Sequence, residues 1–325
     1  MDSDAPGRRP SNPLQVARRI LRYAAWPIYL GLLAWYLIAN GVPLANDVIS
    51  AWLIGALLTA VAAGGGNAWK VLRDWIPVAV ALWSYSLLRG YATHSPFKIH
   101  WGPQVRIDKL LGHGTTWTNR LQDRYLDPAH PHWYDYAAWG VYMSHFFTIF
   151  IVLAVLWRRK YKRFQHLLAC YTVVTFAGFS TYVLYPADPP WLAANEHHMP
   201  DVGRLIGPMF GHLGLPVAQS VFEQGSQYDN EVAAMPSLHS AYPMLLLLFF
   251  WPVANKWIRP ILVLYPLAMG TTLVYAGEHF IVDVLAGWTY ALVAYLCVTY
   301  FIKRRARRKD APQADIPSVG VPALA

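Results

Sequence analysis

GEHFIVDVLAG, Gly277 to Gly287, places an imidazole and a carboxylate four positions apart at the mouth of an apolar run that extends to about residue 302. The reading of this stretch decides the fold. A run of that length and composition is a membrane-spanning helix, and an ionisable pair at its end is a functional-site candidate by default. Positions i and i+4 of a helix share a face. Asp283 is therefore expected to hydrogen-bond one ring nitrogen of His279 and leave the other free as nucleophile or base. A bland alternative is a pair that only anchors the helix end, so the next polar stretch upstream matters.

That stretch is MPSLHSAYP, Met235 to Pro243. Pro236 and Ser237 read as a turn and a helix start, with Ser237 as the N-cap. His239 then falls in the first turn of a second apolar run. Free N–H groups and the helix dipole favour an anion there, so His239 can stand beside a bound phosphate and protonate a leaving oxygen. A lone histidine at a helix start is ordinarily structural. The two stretches together are far more specific than either alone.

PSLHSAYP followed by GEHFIVDVLAG resembles the second and third signature motifs of the type 2 phosphatidic acid phosphatase superfamily, in the form found in the branch of inositol phosphorylceramide synthases and related bacterial proteins. The resemblance is sharp over about 235–290 and looser over about 80–190. It implies a six-helix catalytic core, a nucleophilic His279 that takes the phosphoryl group as a phosphohistidine, an orienting Asp283 and a proton-donating His239. Leu238 stands where the phosphatases usually have Gly, and Leu273 where the third motif usually has a phosphate-binding Arg. Trp191 stands where members of this branch often have Arg. These departures favour a transferase that moves a phospho-headgroup, such as inositol phosphate, between lipid and alcohol. The alternative is a lipid phosphate or polyprenyl (di)phosphate phosphatase, with water as acceptor.

Composition agrees with a membrane protein. Of 325 residues, 55% are hydrophobic and only 14% charged, against about a quarter charged in soluble domains. The formal net charge is +9, but the basic residues cluster in short runs between apolar segments. That is the positive-inside pattern rather than a nucleic-acid footprint. Cys170 and Cys297 both lie in apolar runs and read as buried thiols without a disulfide or metal role. The Arg-rich N-terminus shows no clear cleavage site and reads as a cytoplasmic tail over 1–22.

The fold expected is all-α: a polytopic transmembrane bundle of about eight spans, with two N-terminal spans over 23–73 and a catalytic domain over 74–302. The spans run about 24–42, 48–63, 75–90, 134–157, 164–185, 238–254, 259–276 and 280–302. Residues 303–325 form a basic, disordered cytoplasmic tail. Gly64–Gly66 lacks the following Lys-Ser/Thr of a phosphate loop and reads as a turn. Eight spans put the N-terminus, Lys70, Arg73, Arg158–Arg163, Lys256, Arg259 and Lys303–Lys309 on one side, which is then cytoplasmic. The same count puts His239, His279 and the long connections 91–133 and 186–236 on the other side. A multi-pass protein of the bacterial plasma membrane with an extracytoplasmic site is the expectation.

Arg89 closes the third span on the site's side and is a candidate phosphate clamp; Ser237 and Lys98 complete the phosphate contacts. Tyr142, His145 and Glu278 complete the candidate pocket. His145 lies deep in its span and needs a partner there. TWTNRLQDRYL, with Trp117, Leu121 and Tyr125 at helical spacing, reads as an interfacial helix. The histidines of 91–133 match no zinc spacing, and the scheme calls for no metal or cofactor. Its partners are a lipid phosphate or phospholipid donor, an alcohol acceptor or water, and the surrounding membrane lipids, with no nucleic acid. A transporter would string ionisable groups across the bilayer. Here they gather near one face, and no inverted repeat is visible.

Overall fold

Each of the eight apolar stretches is helical in a computed structural model that describes residues 13–41, 46–64, 67–92, 96–227 and 230–310, without the side chains of 13–21, 46–47, 81–82, 84–92, 221, 224–227 and 309–310. The chain runs α1 (Pro13–Asn40), α2 (Asn46–Gly64) and α3 (Ala68–Ala92), then two short helices, α4 (Gly102–Leu111) and α5 (Trp117–Tyr125). Next come α6 (Trp133–Arg159) and α7 (Tyr161–Leu184), followed by α8 (Pro190–Asn195), α9 (Ile206–His212) and α10 (Pro216–Gln227). The last three are α11 (Leu238–Phe250), α12 (Arg259–Tyr275) and α13 (Ile281–Asp310). No β-strand occurs among the described residues; isolated bridges join His100 to Ala187 and Ala187 to Ala233. The sequence segments 1–12 and 311–325, and Gly65 and Gly66 of the glycine turn, lie outside the described residues.

Among the described residues, α6, α7 and most of α13 are long and apolar enough to cross a membrane by length and composition. Val48–Gly64 and Leu238–Val253 are shorter apolar helices. The protein is thus an all-helical chain with several apolar helices of membrane character. Its helix directions separate two ends. α11 carries His239 in its first turn and ends near Arg163, whose Nη2 donates to the Phe249 carbonyl at 3.1 Å. Lys70 and Arg73 gather at that same end, Lys70 lying 4.6 Å above the Tyr161 ring and Arg73 donating to the Tyr161 hydroxyl at 3.5 Å. Trp157 Nε1 ties α6 to α3 there by donating to Asp74 at 2.8 Å.

The core is an apolar cluster to which α3, α6, α7 and α11 contribute Trp75, Leu153, Phe164, Leu167 and Leu245. α11 packs most extensively on α13 and α12, and the α11–α13 approach is the tightest. A Cβ on Gly287 would lie 2.2 Å from the Ser237 carbonyl oxygen and 2.4 Å from Ser240 Oγ. Ser240 Oγ donates to the carbonyls of Ser237 and Val284, at 3.0 and 3.1 Å, and the Ser237 N–H donates to the Asp283 carbonyl at 2.9 Å. Small residues at a helix crossing and hydroxyl-to-backbone bonds are how helices associate in lipid, where apolar burial gives no advantage. On the other side of α11, Leu238 lies against Gly178 of α7, where a Cβ would meet Leu238 Cδ2 at 2.8 Å. The leucine that replaces the superfamily glycine therefore fills a notch cut by a second glycine.

The two long connections are built, and one expectation about them is corrected. α5 does form a helix, but its polar face turns inward: Thr118, Asn119 and Gln122 are buried while Tyr125 is exposed. The reason is backbone hydrogen bonding. Gln122 Nε2 donates to the carbonyls of Gly203 and Tyr275, both at 2.8 Å, and its Oε1 accepts the Gly203 N–H at 2.9 Å. Asn119 Nδ2 donates to the Asp201 carbonyl at 3.0 Å. α5 is a clamp on residues 201–203 rather than an interfacial helix. Asp108 of α4 accepts the N–H groups of Trp117 and Ile281, at 2.7 and 3.1 Å, tying the first connection to the start of α13. Burial pushes the Asp108 carboxyl above its usual range, with those two N–H groups pulling the other way. A second correction concerns Cys297, which is exposed on α13; Cys170 is buried, as its apolar run implies.

Asp188, in the second connection, is wholly buried, and neither of its carboxylate oxygens has a hydrogen-bond donor among the described residues. Burial, with the charge of Glu196 added, lifts its carboxyl to about 7. An unfolded Asp titrates near ~3.9. Between those values the folded chain holds a proton that the unfolded chain has lost, so stability falls as pH rises through the window and stays low above it. Asp188→Asn removes that loss. Its melting temperature in detergent is expected to exceed the wild type's by more at pH 8 than at pH 5, and an equal difference at both would contradict this account.

Candidate active site

His239 is the second residue of α11, and Ser237 caps that helix by accepting the Ser240 N–H on its hydroxyl at 3.3 Å. The cap fixes where the first turn begins and so where the imidazole points. Tyr142 stacks on the His239 ring, with centroids 5.1 Å apart. His145, one turn along α6, has its ring centroid 4.1 Å from that of His239. His145 in turn stacks on Tyr242 at 5.2 Å, whose hydroxyl is 2.8 Å from Thr175 Oγ1 of α7. Rings of α6 and α11 thus surround the imidazole, and His145 stacks within this group while its buried Nδ1 has no hydrogen-bond partner among the described residues.

His279 lies in the turn that joins α12 to α13. Its N–H and that of Glu278 both donate to the Leu273 carbonyl, at 3.2 and 3.0 Å. Gly277 makes the turn possible, with φ at +78°, a region that favours glycine. The His279 and His239 ring centroids are 5.7 Å apart, the planes inclined by 55°. An attacking atom needs to stand about 3–3.5 Å from phosphorus, and a proton donor about 2.6–3.2 Å from the oxygen it serves. Two rings this close can address one phosphoryl group.

The His279–Asp283 geometry differs from the expected pattern. His279 precedes α13 instead of lying on it, and Asp283 is in the first turn. Asp283 Oδ2 accepts the Phe280 N–H at 2.9 Å, as a first-turn carboxylate does when it satisfies an unpaired N–H. The same oxygen stands 3.7 Å from His279 Nδ1, beyond a hydrogen bond. The carboxylate faces the ring and stays within reach of it, and catalytic hydrogen bonds are often long before substrate arrives.

The remaining sequence candidates are distributed unevenly. Tyr142 and His145 are in the site. Ser237 is adjacent, but its hydroxyl and its N–H are both engaged within the protein. Lys98 is exposed and makes no ion pair among the described residues. The side chain of Arg89 lies outside the described residues. Leu273 is wholly buried in an apolar cluster with Met269 and Val274, so no cation stands at that point of the third motif. Glu278 is held by a residue that sequence reasoning passed over. Arg204 donates from Nε and Nη2 to the two Glu278 oxygens, at 3.3 and 3.4 Å, and its guanidinium lies 4.3 Å over the Trp191 ring. One signal could have found it: Arg204 is the only Lys or Arg in the whole connection 186–236.

The fold and the site together define a class, an all-helical membrane protein with two histidines and a carboxylate gathered from distant parts of the chain at one end of the bundle. Residues 106–297, more than half of the chain, match the PAP2 superfamily, and the chain belongs to it. The matched region begins beyond α3, so Arg89 lies outside it. The chain is also similar to phosphoinositol dihydroceramide synthase of Bacteroides thetaiotaomicron, with 28% identity over 156 residues, which are 46% of this chain and 50% of that one. It therefore spans about half the length of that curated relative. No solved structure matches the chain.

Proposed function

We propose that the protein is a membrane-embedded phosphotransferase that moves a phospho-headgroup from a phospholipid donor to a lipid alcohol through a phosphohistidine. The observation that carries this reading is the 5.7 Å approach of the His239 and His279 rings, with Asp283 behind His279. In the first step His279 attacks phosphorus, the bond from phosphorus to the donor's alcohol oxygen breaks, and His239 gives that oxygen a proton. Asp283 faces the imidazolium that forms. In the second step the acceptor hydroxyl gives its proton to His239 and attacks phosphorus, and the P–N bond to His279 breaks. Histidine suits both tasks because its pKa lies near working pH.

The phosphoinositol headgroup and the ceramide-type acceptor are supported by the sequence resemblance to the inositol phosphorylceramide synthase branch and by the curated relative's name, phosphoinositol dihydroceramide synthase. Eight crossings, with both termini and the basic runs in the cytoplasm, fit the separation of the basic end from the histidine end. The site then opens to the extracytoplasmic face and takes its lipids laterally from the membrane.

The test uses the purified full chain with short-chain phosphatidylinositol, with and without a ceramide acceptor. Transfer of the headgroup to the acceptor is expected, with little water-soluble phosphate or inositol phosphate released when the acceptor is left out. Release at an equal rate without acceptor would instead make the protein a hydrolase. A chain that consumes no phospholipid or lipid phosphate under either condition would end the proposal.

A further inference from the structure

We infer that Arg204, seated on Trp191, is the cation that grips the substrate phosphate, with Glu278 as its counter-ion in the free enzyme. The inference rests on the proposed phosphoryl transfer at His279. Leu273 is apolar and buried where the third motif's arginine would stand, and Trp191 occupies the position where this branch often places another. Phosphoryl transfer depends on positioned positive charge, and neither of these two positions supplies it.

Arg204 is delivered to this spot by backbone bonding on both sides. Gly203 is held by Gln122, which also binds the Tyr275 carbonyl. The Leu205 N–H donates to the Ala276 carbonyl at 3.4 Å. These contacts lay residues 203–205 alongside 275–276, immediately before Glu278 and His279. Trp191 is fixed against the same turn, its N–H donating to the Gly277 carbonyl at 3.1 Å. An indole face orients a guanidinium and leaves its edge free for a bidentate anion.

The Arg204–Glu278 contact has the character of a pair that can exchange partners. Both of its hydrogen bonds are long, at 3.3 and 3.4 Å. Nη1 has no partner among the described residues. The Arg204 side chain is 34% exposed and the Glu278 side chain 11%, so the pair is partly buried and the guanidinium is its more accessible member. An arriving phosphate meets a planar donor fork already aimed by the indole, and Glu278 yields to it. The residue that releases the cation is the immediate neighbour of the nucleophile, so substrate capture and attack are placed at the same turn.

The two partners predict opposite kinetic effects, which separates this role from a structural ion pair. Arg204→Gln is expected to raise KM for short-chain phosphatidylinositol by about 10- to 100-fold, the range of a lost charge-assisted hydrogen bond. Arg204→Lys should recover part of it, because a point charge replaces a fork. Glu278→Gln should lower KM, because the phosphate no longer competes with a carboxylate. If both neutral variants raise KM alike, or if Arg204→Gln leaves it unchanged, the inference is overturned. Should Arg204→Gln fail to assemble, Glu278→Gln decides alone: an unchanged or higher KM overturns it. Failure of the underlying reading looks different, since the wild-type chain would then show no His279-dependent phosphate label at all.

Discussion

His279→Ala is expected to reduce headgroup transfer by at least about a thousandfold, to the assay floor, because in the proposed mechanism it removes the atom that bonds to phosphorus. The paired expectation concerns the intermediate. Wild-type protein quenched during turnover with a phosphorus-labelled donor should carry label that acid removes and base does not, and the His279 variant should carry none. His239→Ala should slow turnover by about 10²–10⁴-fold, the usual contribution of positioned acid–base help, while still accepting label on His279. The contrast matters because the two rings are close enough, at 5.7 Å between centroids, for their roles to be confused. Label retained in the His279 variant and lost in the His239 variant would exchange the two roles. Turnover unchanged in the His279 variant would remove the mechanism altogether.

The second large effect comes from a residue without functional groups. Gly287→Ala should unsettle both the fold and the site. Its Cβ would stand 2.2 Å from the Ser237 carbonyl oxygen, a backbone atom with little freedom to retreat. α11 and α13 must then separate, at the cost of the Ser240 bond to Val284 and the Ser237 bond to Asp283. Overpacking typically costs about 1–3 kcal/mol and occasionally more; the loss of hydrogen bonds across the crossing places this variant at the upper end. His239 and Asp283 ride on the two separating helices, and misplacement by about 1 Å can cost about 10²-fold in rate. Gly140→Ala is the control: it lies on α6 with nothing within 4 Å of the added carbon, and in a helix it should be neutral or slightly stabilising. A Gly287 variant with normal melting temperature and activity would mean that the α11–α13 crossing does not set the site's geometry.

Much of the helix plan was readable because its causes are local. Runs of apolar residues long enough to cover a bilayer, broken by Pro, Gly and basic clusters, mark out α2, α6, α7, α11 and α12 to within a few residues; α1 and α3 begin well before the expected spans, and α13 continues to Asp310, so 303–310 is helical where a disordered tail was expected. Ser237 was recognisable as a cap because capping involves only the next three residues. His239 and His279 stood out as a pair, since two short motifs carried them. The short helices α8–α10 were not read, because residues 186–236 mix turn formers with apolar patches and offer no sustained period.

Other misreadings share one cause, which is that a side chain's partner is chosen by packing rather than by spacing. The i, i+4 spacing of His279 and Asp283 suggested a hydrogen bond, yet Asp283 gives its oxygen to the Phe280 N–H because a helix start has N–H groups to satisfy. The amphipathic pattern of α5 suggested a surface helix, yet Gln122 and Asn119 were needed inside to satisfy the backbone of a loop some eighty positions away.

The sequence by itself determined that this is an α-helical membrane chain of the PAP2 type with two candidate histidines, because hydropathy and capping act over a few residues. Only the tertiary structure decided that the two histidine rings lie 5.7 Å apart, that aromatic rings surround His239, and that an arginine from a distant loop pairs with Glu278, the neighbour of His279. Those are meetings between segments, and they depend on how closely Gly287 lets α11 approach α13 and on where Gln122 pins the loop.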